Sequence, residues 1–291
     1  MKNTKLYLDE ISRVYPEVKW KRVKRIDNNG IAYVVIVLDG KLVFRFPKER
    51  GEAESSLRTE MDFLDLFAPK VKLKVPRYNY KPKDSSFGGY TFIAGKEAGS
   101  FSSLNNLNTR ENVCLFADFL SILHTFSKKG LKIKEYDPYP EVARYSEKKL
   151  RVISHLLSDK EKKFLKRVIS EIRGLKFPKK CIVHSDLRAD HVLVKGNKVV
   201  GIIDFGDLSV GDPSRDFTFF WNLGGDFVKQ VYKKYNGPKD EGLLKRAELL
   251  NVNQYITDVY YGIKMRKRRW KFPSLNKIRK IVKEGLIYTA I

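Results

Sequence analysis

Within the stretch IVHSDLRADHVLVKGNKVVGIIDFGD, residues 182–207, His184, Asp186, His191 and Asp204 sit at the ends of apolar runs. Three apolar, β-like runs (KCIVH, HVLV and VVGII) lead into or out of these residues. A strand that runs into a polar loop leaves its terminal side chains at a sheet edge, facing a cleft. Lys195, Gly196 and Asn197 form a turn, so the second and third runs can pair as a hairpin. That pairing returns Asp204 to the edge that carries His191. Two carboxylates and an imidazole then converge. Mg2+ takes few protein ligands and leaves phosphates and waters to fill the rest. Asp204 and His191 suit such a bridge, and Asp186 is left to accept a proton from a nucleophile.

The elements that must position these groups are legible along the chain. Residues 19–47 read as a β meander, with Asn-Gly and Asp-Gly turn dipeptides between β-branched and aromatic runs. EAESSLRTEMDFLDLF, residues 52–67, has Leu57, Met61, Leu64 and Phe67 on one helical face. VPRYNY and GGYTFIAG are expected as two further strands, which makes the first part a small sheet with one helix, ending near residue 93. TRENVCLFADFLSILHTFSKKG then reads as a helix with a Thr start and a Gly stop. SDKEKKFLKRVISEIRGL is another, capped by Ser158 and closing near Gly174. Helical segments are expected to the end. His124 is expected in a helix near the core, and His155 at the surface.

Composition bounds the class. A chain of 291 residues, 42% hydrophobic and 32% charged, exceeds one compact core and has enough apolar surface to fold. Cys114 and Cys181 lack metal-type spacing, and the most apolar short run, YVVIV, cannot cross a bilayer. A soluble cytoplasmic protein is expected. The net charge of +24 comes from lysines spread along the whole chain, which reads mainly as solvated helix faces, yet it favours anions.

The motifs also resemble a family. HSDLRADH is similar to the H-x-D-x-x-x-x-N catalytic loop of protein kinases with His in the Asn place, and DFG is their metal-binding triplet. The longer pattern IVHSDLRADHVLV, GIIDFGD, GDPSRDF resembles the aminoglycoside phosphotransferases, above all the branch acting on the 2-double-prime hydroxyl. KLVFRFPK and GGYTFIAG fit that branch's third strand and hinge. The likeness implies an α+β, protein-kinase-like bilobal fold: a nucleotide-binding lobe at 1–93, and a larger, mainly helical lobe at 94–291 with the catalytic loop, metal site and acceptor site. It implies a kinase moving the γ-phosphate of ATP or GTP to a hydroxyl of a small acceptor, with Mg2+, acting as a monomer without a membrane. Asp186 would be the base, and Asp204 and His191 would hold Mg2+. His184 and Asp216 would brace the loop. Tyr90, and the backbones of Thr91 and Ile93, would meet the base, with Val43 and Ile203 on either side of its ring. Phosphoryl transfer suits such a set because it needs mostly positioning and charge neutralisation.

Two features depart from the pattern. Arg45 stands where kinases carry a lysine on the third strand, with Glu60 as its helix partner. Acids are few after GDPSRDF, whereas Lys264, Arg266, Lys267, Arg268, Arg269 and Lys271 make a dense basic run. If that run borders the acceptor cleft, a neutral or anionic hydroxyl compound suits it better than a polycationic antibiotic. Two other classes stay open: a nucleotide-binding regulator with little catalysis, and a nucleic-acid binder using the basic run and Trp270.

Overall fold

Alternation along the meander decides where each strand side chain points. The computed structural model describes residues 3–26, 32–49, 51–84, 86–99, 104–137 and 139–285; the Asn29-Gly30 turn and the Arg269 side chain lie outside the described residues. Strands β1 (Val23–Ile26), β2 (Tyr33–Leu38), β3 (Leu42–Pro47), β4 (Tyr78–Tyr80) and β5 (Gly88–Thr91) form an antiparallel sheet in the order β1-β2-β3-β5-β4. Asp39 and Gly40 both take positive φ, as the expected two-residue hairpin turn requires. One face of the sheet, with Val34, Ile36, Phe44 and Phe46, packs on Tyr7 and Ile11 of helix α1 (Thr4–Val14). On the other face, Val37 and Val43 meet Leu57, Met61 and Leu64 of helix α2 (Glu52–Phe67). Arg45 shares the Val43 face, so it is aimed at α2.

Helix α1 corrects the expectation of a single helix in this lobe. Its apolar stripe is short, with Tyr7 and Ile11 as its buried residues, and its start depends on the Asn3 side chain accepting from Lys5 N.

The remaining chain is mainly helical, as expected for an α+β bilobal fold. Its helices are α3 (Arg110–Thr125), α4 (Tyr139–Ile153), α5 (Asp159–Arg173), α6 (Ser214–Phe217), α7 (Gly225–Lys234), α8 (Leu243–Lys264) and α9 (Arg268–Glu284). Thr109 caps α3, and Ser158 with Glu161 forms a reciprocal capping box on α5. Helix α3 stops short of Gly130 because Phe126 turns out to pack edge-on against Phe63 and Phe67. A second apolar core joins α4, α5, α8 and α9. Among the described residues no helix is long and apolar enough to cross a membrane.

Short strands connect the two parts. The expected strand over GGYTFIAG ends at Thr91, and pairing resumes in β6 (Lys96–Glu97) against β8 (Val192–Lys195). β8 pairs with β9 (Lys198–Ile202), and β7 (Cys181–Val183) pairs with β10 (Ser209–Gly211). Lys74 docks on β9 by two backbone hydrogen bonds, to Val200 O (3.0 Å) and from Ile202 N (2.9 Å). Gly201 permits this approach, since a Cβ there would lie 2.7 Å from Lys74 O.

Phe205, fully buried, fills the seam between Phe63 and Phe67 of α2, Phe119 of α3 and the His184 ring. Phe205→Ala should therefore cost about 3–5 kcal/mol by cavity formation. A urea titration should show a lower midpoint with an unchanged slope; an unmoved midpoint would mean that this ring does not hold the seam.

Candidate active site

The hairpin register builds the site. Val192 faces Ile202, so Ile203 N donates to His191 O (2.9 Å) and Asp204 emerges beside His191. The His191 Nε2 to Asp204 Oδ2 distance is 3.5 Å. His191 Nδ1 donates to the Asp186 carbonyl (2.8 Å) and lies 3.4 Å from Asp186 Oδ2. Asp186, His191 and Asp204 are therefore brought together at one edge.

The loop that carries Asp186 is strained and heavily braced. Ser185 (φ 72°) and Asp204 (φ 66°) both occupy the left-handed region, at a cost of about 1–3 kcal/mol each. The buried Asp216 carboxylate accepts from His184 N (2.7 Å) and Ser185 N (2.9 Å). Ser185 O accepts from Arg215 Nη2 (3.1 Å). His184 Nε2 donates to Ile203 O (3.1 Å), tying the loop to the segment before Asp204, and its Nδ1 accepts from Asp186 N (3.3 Å). Burial lowers the His184 pKa, which favours this neutral form despite Asp216 nearby. His124 is buried in α3 as expected, but it also bridges Asp216 Oδ2 (3.0 Å) and Tyr235 OH (2.7 Å). Asp212 joins a separate buried network with Arg246, Tyr139 and Ser214.

Arg45 reaches further than its kinase lysine counterpart was expected to. Its Nη1 donates to both oxygens of Glu60 (2.6 Å each), and its Nη2 donates to Asp204 Oδ1 (2.6 Å). Tyr78 OH also donates to Glu60 Oε1 (3.0 Å), and the guanidinium lies 4.3 Å from the Tyr33 ring centroid. The sequence reading missed both tyrosines. Burial alone would raise the Asp204 pKa, but Arg45, with His191 and His184, holds it down at about 2. Burial raises Glu60 above the usual carboxylate value even beside Arg45. Val43 and Tyr90 face each other on β3 and β5, and Tyr90 packs edge-on against Tyr78. Thr91 is exposed at the end of β5, Ile93 is buried, and Ile203 is half-buried beside Asp204.

The donor set fits a hard cation. With Nδ1 placed against the Asp186 carbonyl, the Nε2 of His191 is left facing a carboxylate oxygen of Asp204 and, once deprotonated, would oppose it with a lone pair. A cation between them would relieve that opposition. Among the described residues no cluster of three or more His, Cys, Asp or Glu side chains is arranged for a metal. A pair of protein donors is what Mg2+ commonly takes, with phosphate and water oxygens supplying the rest.

A cavity of about 300 Å3 opens on the other side of Asp186. Its charged lining comprises Glu97, Asp186, Asp190 and Asp258 against Arg188 and Arg215. Asp258 accepts from Gln254 Nε2 (2.8 Å) and Ser274 Oγ (3.3 Å), and its pKa is raised by burial. Arg188 donates to Asp190 (3.3 Å). From the basic run, Trp270 alone reaches the lining among the described side chains. The sequence places a dense basic run at 264–271, but among the described side chains its lysines and arginines do not line this cavity, whereas Glu97 and Asp258 from distant segments, and Asp190 from the same loop, join Asp186 there.

A family model described as the phosphotransferase enzyme family matches residues 22–249. Aminoglycoside 3'-phosphotransferases of Escherichia coli and Salmonella typhimurium are each 29% identical over 62 residues, 20% of this chain. The chain spans 23% of the length of these curated relatives. The solved GDP and kanamycin complex of APH(2")-IIia superposes with a TM-score of 0.77 at 21% identity, covering 97% of this chain and 99% of that one. The macrolide 2'-phosphotransferase MphH from Brachybacterium faecium gives 0.62 at 15% identity, covering 93% and 95%. These structures share the protein-kinase-like fold.

Asp216→Asn leaves one of two buried backbone N–H groups without its acceptor. The expected loss is about 1–3 kcal/mol of stability, measured by denaturant titration. Release of the Ser185 strain should also lower kcat more than nucleotide affinity. Wild-type kcat in this variant would show that Asp216 does not set the loop.

Proposed function

We propose that this chain, which belongs to the phosphotransferase enzyme family, transfers the γ-phosphate of ATP or GTP to a hydroxyl of a small cationic acceptor of the aminoglycoside kind. The observation that carries the acceptor class is the cavity wall that Asp186 shares with Glu97, Asp190 and Asp258. Ammonium groups of a polycation meet complementary charge there, and the hydroxyl to be phosphorylated can reach Asp186. The solved relative that holds GDP and kanamycin supports the same pairing of ligands. A second reading, a largely neutral hydroxyl compound, draws on the apolar part of the wall: Val142, Phe219, Leu250 and Trp270.

In this reading residues 1–93 form the nucleotide lobe and 94–291 the acceptor lobe. Val43 and Ile203 flank the base, Tyr90 backs it, and the backbones of Thr91 and Ile93 bond its edge. Asp204 and His191 hold Mg2+, which when bound would neutralise charge on the phosphates. Arg45, steadied by Glu60, supplies a further cation near them. Asp186 orients the acceptor hydroxyl and takes its proton, a role that contributes on the order of 10²–10⁴ in rate. His184 and Asp216 keep the loop in place.

With labelled ATP and GTP and a panel of aminoglycosides, macrolides and neutral polyols, transfer should be found to aminoglycosides and be lost in Asp186→Asn. Nucleotide binding should survive that substitution. Burial raises the folded pKa of Asp186, so its ionised form opposes folding once the pH exceeds the unfolded value. Asp186→Asn should accordingly raise Tm at pH 7, and the gain should vanish below about pH 3.8, the ordinary aspartate value. Transfer to neutral acceptors alone would favour the second reading, and full activity of Asp186→Asn would remove the base assignment.

The rate should also depend on pH through Asp186. Its proton is held by burial against the pull of His191 and Arg188, so the acid limb of kcat should lie above an ordinary aspartate. Arg188→Met removes one opposing cation and should move that limb to higher pH. A limb that moved down would show that Arg188 does not act on Asp186.

A further inference from the structure

Arg45 spends its guanidinium on two carboxylates from different parts of the chain. Nη1 is held by both oxygens of Glu60 on α2, and Nη2 by Asp204 Oδ1 beyond β9. The Arg45 side chain is 5% exposed and its Glu60 partner is buried, whereas Asp204 is 41% exposed on its far side. Asp204 thus has one oxygen on a guanidinium and the other facing His191. The guanidinium serves Glu60 and Asp204 from two separate, rigidly spaced nitrogens, whereas a lysine would bring all its donors to one atom.

We infer that Arg45 is a positioning residue that latches Asp204 when no nucleotide is bound, so that divalent cation and nucleotide bind as a unit. The inference rests on the reading of this cleft as a nucleotide site. Asp204 cannot offer both oxygens to a cation while Nη2 holds one of them. Releasing Nη2 alone would leave a nearly buried guanidinium N–H unpaired, which is costly. A phosphate oxygen is the acceptor that removes this cost, because Arg donates to phosphate with the same planar fork. Each ligand therefore favours the other through Arg45, and the coupling is reciprocal. Glu60, held throughout on Nη1, keeps the guanidinium at the seam during the exchange.

The test uses Mn2+ as the metal probe and GDP as the nucleotide. Free Mn2+ is followed by electron paramagnetic resonance with and without GDP, and GDP affinity is measured by calorimetry with Mn2+ or with chelator. In wild type, Mn2+ alone should bind weakly and GDP should tighten it by about 10–100-fold. In Arg45→Lys, Mn2+ alone should bind more tightly and the tightening by GDP should fall by about tenfold. Asp204→Asn leaves the Arg45–Glu60 pair intact and replaces the charged acceptor of Nη2 by a weaker neutral one, so its metal-free affinity for GDP should exceed that of wild type. This second variant decides the matter even if Arg45→Lys folds poorly. Equal coupling in wild type and Arg45→Lys, or weaker metal-free binding in Asp204→Asn, would overturn the latch and leave the nucleotide site standing. If neither GDP nor ADP binds to wild type with Mn2+, the nucleotide reading is overturned, and the latch with it; if ADP alone binds, the same comparisons are made with ADP.

Discussion

Glu60 is fully buried on the apolar face of α2, and a carboxylate taken out of water costs several kcal/mol unless a cation meets it. Arg45 meets it because the β3 alternation that sends Phe44 and Phe46 to one face sends Val43 and Arg45 to the other. The guanidinium has donors left over, and Asp204 takes one of them. Sheet, helix and hairpin are tied at one point by this chain of three charges. The edge that carries Asp204, His191 and Asp186 is thereby held against the small sheet. Phe205, the next residue after Asp204, adds an apolar fastening at the same seam.

Around that point the chain accepts local strain to aim side chains. Ser185 and Asp204 each sit in a backbone region that non-glycine residues avoid. Glycine at either place would relieve the backbone but remove the side chain. The strain at Ser185 is offset by hydrogen bonds from its N to Asp216 and to its O from Arg215. Asp216 is in turn fixed by His124, and His124 by Tyr235. Three segments distant in sequence therefore converge on one turn, and Asp186 inherits its direction from them.

The hairpin and its convergence were legible in the sequence, because a period-two apolar pattern and a Lys-Gly-Asn turn fix the register, and register fixes which end residues meet. The Arg45–Glu60 pair came from the resemblance to kinases, whose third-strand lysine pairs with a helix glutamate, and not from local pattern. What escaped were partners supplied only by tertiary packing. Tyr78 and Tyr33 approach Arg45 from β4 and β2, where aromatic residues are ordinary strand formers. His124 looked like a helix residue near the core, which it is, and nothing local marks its bond to Asp216. Helix α1 escaped for the opposite reason: Tyr7 and Ile11 make too narrow a stripe to stand out.

The cavity beside Asp186 shows why a count of charges along the chain misleads about a pocket. The net charge of +24 and the basic run at 264–271 suggest an environment hostile to cations. Charges on the solvated surface are screened beyond about 8 Å at physiological salt. Carboxylates that line a recess act at contact distance and in a lower dielectric. Glu97 comes from β6, Asp190 from the catalytic loop and Asp258 from α8, and each would look unremarkable in its own segment. Helix α9 presents Trp270 to the recess, while its flanking cations, apart from Arg269, which lies outside the description, do not line it. A chain can thus be strongly basic overall and still hold a recess whose near field favours a cation. The distant field governs encounter and the carboxylates govern what stays bound.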